Sequence, residues 1–224
     1  MSGLINLLHE DSSQKSFLVS KLASAAARAM IEVGKPAPDF TARAYFPAEN
    51  QIKTIKLSDY RGKWVILTFH PGDFTFVCAT DLEAFQAYYD KFKANNAEIL
   101  AVSTDSVYSH KVWVETSPRV KNVKFPLVED INKQISSTYG FLNPDTGMTR
   151  RGTVIINPDG IVEYISVFND RLGKDVPHIF NAFINLKYLY EHPPSPTEFD
   201  IIAANKGEGH QVLHIRIPDS IGKL

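Results

Sequence analysis

The order of strand-like and helix-like segments in this sequence predicts an α/β fold, with a mixed central sheet flanked by helices on both faces. Three observations carry that expectation. Residues 64–70 (WVILTFH) form a continuous apolar run, as a central strand buried on both faces requires. Strand-like runs alternate with segments of helical period, in the order β-α-β-α-β-α-β-β-α. The runs 151–157 (RGTVIIN) and 161–167 (IVEYISV) are joined by Pro158-Asp159-Gly160, a hairpin signal that makes the last pair antiparallel.

Each element follows from its local pattern. Residues 1–32 read as a helical extension, because Leu18, Leu22, Ala26 and Met30 recur every four residues. Gly34, Pro36 and Pro38 then punctuate the start of the main domain, expected over 33–190. From Cys78 to Asn96 the pattern is helical, with Leu82, Phe85, Tyr89 and Phe92 on one face. Residues 98–103 (EILAVS) read as a second buried strand, and a short helix around His110 to Glu115 carries Trp113. A short strand is expected at 125–128, a helix at 132–139 and a turn at Asn143 to Gly147. The last helix, 175–190, has Val176, Ile179, Phe180, Phe183, Leu186 and Leu189 as its apolar stripe. Pro193, Pro194 and Pro196 cannot continue it, so 191–224 reads as a tail.

Composition narrows the functions available. With 24 basic and 25 acidic residues the net charge is −1, which offers no electrostatic grip on nucleic acid or an anionic membrane. No apolar run approaches the ~18 residues of a membrane span. One cysteine among 224 residues excludes an intrachain disulfide framework, a C-x-x-C redox pair and a multi-cysteine zinc site. The seven histidines lack ligand spacing, and no Gly-rich phosphate loop occurs, so no metal or nucleotide cofactor is expected. The first residues do not resemble a secretory signal, which points to the cytoplasm. Lys15, Lys21 and Arg28 with several serines favour an organelle transit peptide, and Glu10 and Asp11 oppose one.

The chemistry concentrates in residues 68–82, TFHPGDFTFVCATDL. A buried strand ends at His70, Pro71 breaks the ladder, and Cys78 falls in the first turn of the next helix. Unpaired backbone N–H groups and the helix dipole favour an anion there, so the position suits a reactive thiol better than a structural one. Thr75 lies one turn earlier. Its hydroxyl can both donate and accept, which suits a group that orients the thiolate and its reaction partner as well as a helix cap, and the two roles are compatible.

Pro71, Thr75 and Cys78 match the P-x-x-x-T-x-x-C motif of the peroxiredoxins, and DFTFVC is similar to the branch containing alkyl hydroperoxide reductase C and the typical two-cysteine enzymes. The resemblance continues in APDF at 37–40, LSDYRGKWVIL at 57–67, AVSTDS and HKVW within 101–113, and RGTVIINPDGIV at 151–162. It implies a thioredoxin-like fold and a peroxidase needing no metal, flavin or haem. It also implies an arginine just before the late strand. Arg151 holds that position and Arg150 competes for it. A guanidinium beside Cys78 would stabilise the anionic sulfur and the charge developing on the leaving oxygen.

The resemblance further implies a hydroperoxide substrate, a Cys78 sulfenic acid and a homodimer or ring of dimers paired through strand 161–167. Three departures stand out. Ala79 and Asp81 replace a proline and a glutamate, and Gly173-Lys174 replaces Gly-Arg. In the tail, HPPSPTEF at 192–199 replaces a segment that carries a resolving cysteine in relatives, with Thr197 near the expected place. The cycle is therefore expected to use one cysteine and an external thiol or protein reductant. The competing reading is a scaffold that has lost turnover and acts as a holdase or binding module. The four retained positions Pro71, Thr75, Cys78 and Arg151 argue against it.

Overall fold

The computed structural model describes residues 31–195, 198–201 and 213–216. Its core is a seven-stranded sheet in the order β2-β1-β5-β4-β3-β6-β7. The strands are β1 (Thr41–Phe46), β2 (Gln51–Lys56), β3 (Trp64–Phe69), β4 (Ala97–Ser103), β5 (Leu127–Glu129), β6 (Arg151–Ile156) and β7 (Val162–Phe168). β3, β4 and β5 run parallel, while β1, β6 and β7 pair antiparallel with their neighbours, so the sheet is mixed as expected. The helices are α1 (Phe76–Ala94), α2 (Val107–Thr116), α3 (Gln134–Thr138) and α4 (Val176–Glu191).

Burial on both faces explains the run of apolar residues in β3. Trp64 and Ile66 face one core with side chains of α1, α2 and α4, and Val65, Leu67 and Phe69 face a second with α3. The strand's period of two thus feeds two cores from one segment. The first core is bolted by aromatic rings. Phe92 of α1 meets Phe180 and Phe183 of α4 at centroid distances of 5.0 and 5.3 Å. Asp175 starts α4 by accepting the His178 N–H at 3.1 Å, with Pro177 in the first turn, where its missing donor costs nothing.

The hairpin at Pro158-Asp159-Gly160 forms as its residues dictate, with Gly160 at φ 78° and its N–H bonded to the Asn157 carbonyl at 2.8 Å. Gly152 is required for a different reason: a Cβ there would sit 1.9 Å from Phe141 and 2.6 Å from the Ser166 carbonyl.

Two regular features escape a reading of periodicity. Strands β1 and β2 form a hairpin, but β2 buries only Ile55 and shows no alternating pattern. In the tail, β8 (Glu198–Ile201) pairs antiparallel with β9 (Leu213–Arg216) as a separate two-stranded sheet. The expected N-terminal helix and Thr197 lie outside the described residues. No helix among the described residues is long and apolar enough to cross a membrane.

Candidate active site

β3 ends at Phe69, and the chain turns through His70, Pro71, Gly72, Asp73 and Phe74 before α1 begins. Phe74 takes a positive φ of 58°, which swings the chain into the helix. Thr75 then occupies the N-cap position and Cys78 the third helical position. The side-chain cap bond that one reading of Thr75 offered is not made. The Thr75 hydroxyl donates instead to the Gly72 carbonyl at 2.9 Å, closing the loop on itself. Pro71 is half-buried at the loop's start. Cys78 is completely buried in the first turn of α1.

The fold brings Arg151 to that sulfur across 73 residues of sequence. Arg151 opens β6, next to β3, and shares the face on which Ile155 joins the core of α1. Its Nη2 lies 3.5 Å from Cys78 Sγ and donates to the Asp170 carbonyl at 3.2 Å, and its Nη1 donates to Asp81. Arg151 is 2% exposed, whereas Arg150 points to solvent. Of the two arginines, Arg151 meets the thiol. Burial works against its charge, but Asp81 and Cys78 outweigh that and hold its pKa above the ordinary value.

Asp81 and Lys174 are visible in the sequence only as departures from a pattern. In space they complete a buried charge cluster. Asp81 sits one turn beyond Cys78 on α1. It accepts from Arg151 and, at 2.8 Å, from the backbone N–H of Lys174. Lys174 Nζ donates to Thr68 Oγ1 at 2.7 Å and to the Phe69 carbonyl at 2.8 Å, and lies 3.5 Å from Asp81 Oδ2. Lysine lacks arginine's planar fork, and here three separate acceptors replace a bidentate one. Burial pushes its pKa down to about 8 despite the neighbouring carboxylate. The shorter acid at 81 therefore still reaches both cations. The sequence signal that could have found them was polarity in the wrong place: Thr68, Asp81 and Lys174 are all buried.

A second polar cluster is built on the loop itself. His70 Nε2 is 3.3 Å from Asp73 Oδ1, and His110 Nδ1 is 2.8 Å from Asp73 Oδ2. His70, Asp73 and Asp105 bring potential ligand atoms within 4.8 Å of one another. Both Asp73 oxygens already accept hydrogen bonds, from His70, His110 and Ser109, so the group reads as a hydrogen-bonded network.

Chemically, the first cluster can do three things. The cation beside Cys78 stabilises an anionic sulfur. The Nε of Arg151, buried and without a partner among the described residues, is a donor available to another oxygen. Asp81 fixes the guanidinium so that neither interaction needs reorganisation.

The chain matches the AhpC/TSA family over residues 33–165. It is 44% identical over 163 residues to peroxiredoxin-1 of Gallus gallus, covering 71% of this chain and 81% of that protein. It is 42% identical over 161 residues to the chloroplastic 2-Cys peroxiredoxin BAS1 of Hordeum vulgare, covering 70% and 76%. Among solved structures, the reduced 2-Cys peroxiredoxin of Plasmodium vivax superposes with a TM-score of 0.74 at 34% identity, over 80% of this chain and 91% of that one.

Proposed function

Because this chain belongs to the AhpC/TSA family and is a thiol-dependent hydroperoxide reductase with the peroxiredoxins' thioredoxin fold, we propose that it runs its cycle on one cysteine, Cys78, with an external reductant. One observation supports this most directly: the chain's single cysteine is a buried thiol 3.5 Å from a buried guanidinium. The substrates are hydrogen peroxide and organic hydroperoxides. No metal or organic cofactor enters the scheme.

In the proposed cycle the Cys78 thiolate attacks one peroxide oxygen in line with the O–O bond. An S–O bond forms as the O–O bond breaks, and the leaving oxygen takes a proton and departs as water or an alcohol. Arg151 holds the sulfur and offers its free Nε–H to an oxygen of the substrate. Thr75 and Pro71 shape the mouth of the site, Pro71 by closing the loop over the sulfur and Thr75 by locking Gly72. The product is a Cys78 sulfenic acid. Two external thiols, or one dithiol, reduce it back to the thiol, becoming joined as a disulfide as the S–O bond breaks and water leaves. Residues 33–190 form the peroxidase unit, with 1–32 and 191–224 as appendages. The chain acts in the cytoplasm as a homodimer or ring of dimers. Support for pairing comes from β7, which ends the sheet and leaves Val167 61% exposed.

Peroxide consumption with a panel of small-thiol and protein reductants tests this reading, with Cys78→Ser as the control. We expect turnover by the wild type and none by the variant. Mass spectrometry after stoichiometric peroxide should show one added oxygen at Cys78, and two after excess peroxide. A quantitative covalent dimer on a non-reducing gel would overturn the one-cysteine cycle.

A further inference from the structure

Asp73 is the most heavily bonded side chain of the loop that precedes Cys78. One carboxylate oxygen accepts from His70 at the end of β3, and the other from His110 and the Ser109 hydroxyl, both on α2. Its backbone N–H donates to Asp105 Oδ2 at 2.9 Å, and that carboxylate is itself held by the Ser103 hydroxyl at 2.6 Å. Trp113 of α2 packs on the His70 ring at 5.8 Å and on Phe74 at 6.1 Å. The loop is thus tied at three consecutive residues: Gly72 by Thr75, Asp73 by the two histidines, and Phe74 by Trp113. Thr75 and the first turn of α1 follow directly, so the placement of Cys78 depends on these ties.

Both histidines are completely buried, and each has one ring nitrogen without a partner among the described residues, Nδ1 of His70 and Nε2 of His110. Each ring donates one proton to Asp73 and keeps a bare lone pair in a dry site. We propose that the buried His70–Asp73–His110 cluster is a proton-sensitive clamp on the loop that presents Cys78, with Asp73 as the positioning residue.

The reasoning is one of hydrogen-bond satisfaction. A second proton on either ring creates a buried N–H with no acceptor beside it among the described residues, and leaving such a donor unsatisfied is costly, the more so when it is charged. The cluster binds that proton only by opening to water, which releases Asp73 and slackens the loop. The charged and titratable groups facing it point the same way. Asp73 favours a cation and is itself held well below the usual carboxylate range because both histidines donate to it, outweighing burial. Burial, and to a lesser degree His110 and the Lys174 cation, resist charge on His70 and push its pKa down. Asp105 engages the backbone of Asp73, not either ring. The peroxidase therefore slows in acid because the thiol loses its placement, apart from any loss of thiolate. This inference rests on Cys78 being the reacting thiol.

The test is stopped-flow oxidation of the reduced full-length chain by hydrogen peroxide across pH. Each rate constant is divided by the thiolate fraction read from ultraviolet absorbance. Two substitutions keep the donor to Asp73 but cannot titrate. The amide of Asn matches Nδ1 in His110→Asn, and the amide of Gln matches Nε2 in His70→Gln. We expect the normalised wild-type rate to fall about fivefold or more between about pH 7.5 and about pH 4.5, with most of the loss below the ordinary histidine range because burial resists the second proton. Each single variant should stay within about threefold of wild type at the higher pH and keep part of the acid limb, and the His70→Gln/His110→Asn double variant should lose most of it. His110→Phe, which removes the donor, should be slow at every pH. Should the histidine variants fail to fold, Ser109→Ala removes one neutral donor to Asp73 and should move the acid limb towards neutral pH. A flat normalised wild-type profile, or an acid limb unchanged in the variants, overturns the clamp while leaving the peroxidase intact. A wild-type thiol inert to peroxide at every pH removes both readings.

Discussion

Replacing Asp81 with Asn removes the carboxylate that two buried cations share, at almost no change in shape. Asp81 is 2% exposed, and its partners Arg151 and Lys174 are 2% and 7% exposed. Breaking a buried pair by removing one partner costs about 3–5 kcal/mol, because the remaining charge is left uncompensated in a dry site. At about 2–4 °C per kcal/mol for a domain of this size, the melting temperature should fall by roughly 6–20 °C.

The cost should depend on pH in a predictable direction. Asp81 helps to hold the Lys174 proton, and even so burial brings its pKa to about 8. Without Asp81 that pKa drops further, so folded Asp81→Asn loses the Lys174 proton at a lower pH than folded wild type. Across that window the variant binds fewer protons when folded, so its stability relative to wild type rises with pH. The deficit should be largest at about pH 6 and shrink by about pH 9. Urea melts of both proteins at those two conditions provide the measurement. Peroxide attack should also slow by about 10²–10³-fold, because the guanidinium loses the bond that orients it. Equal stability at both pH values, or a deficit that grows with pH, would refute the shared-carboxylate account.

Arg151→Met should slow peroxide oxidation far more than it perturbs folding, Arg151→Lys should rescue in part, and Arg150→Met should do neither; stopped-flow rates separate the three. Gly152→Ala should cost about 3 kcal/mol in a denaturant melt, because its Cβ meets the Ser166 carbonyl and the Phe141 ring, and near-wild-type stability would contradict the packing. Phe92→Ala should lose about 3–5 kcal/mol by the same measurement, since it removes the ring that joins α1 to α4. Light scattering of the purified chain at micromolar concentration should give a dimer or larger assembly, and monomer alone would exclude pairing through β7.

How much of this was legible in the sequence depends on the range of the interaction. The segment WVILTFH declares a strand buried on two faces, because a period of two with no polar face leaves no other placement. Pro158-Asp159-Gly160 declares its turn, since the conformation needed at Gly160 is local and glycine adopts it freely. The position of Cys78 in a first helical turn is likewise local. The hairpin of β1 and β2 was not legible, because an edge strand with one buried residue carries almost no hydrophobic pattern.

Local pattern alone therefore established the α/β alternation, the place of one cysteine in the first turn of a helix and the lack of a second cysteine in the sequence. The sequence also brought forward Arg150 and Arg151 as candidates for its partner. Only the tertiary structure decided between them, by burying Arg151 on the α1 face of β6 and leaving Arg150 in solvent. It alone joined Asp81 to Lys174 across 93 residues, and Asp73 to His110 across 37. The reason is physical. Local patterns report backbone preference and which face is apolar, whereas a buried charge cluster is specified by which distant residues share a dry volume. No periodicity records that. Its trace in the sequence is a scatter of polar residues whose burial becomes evident only when the sheet has closed over them.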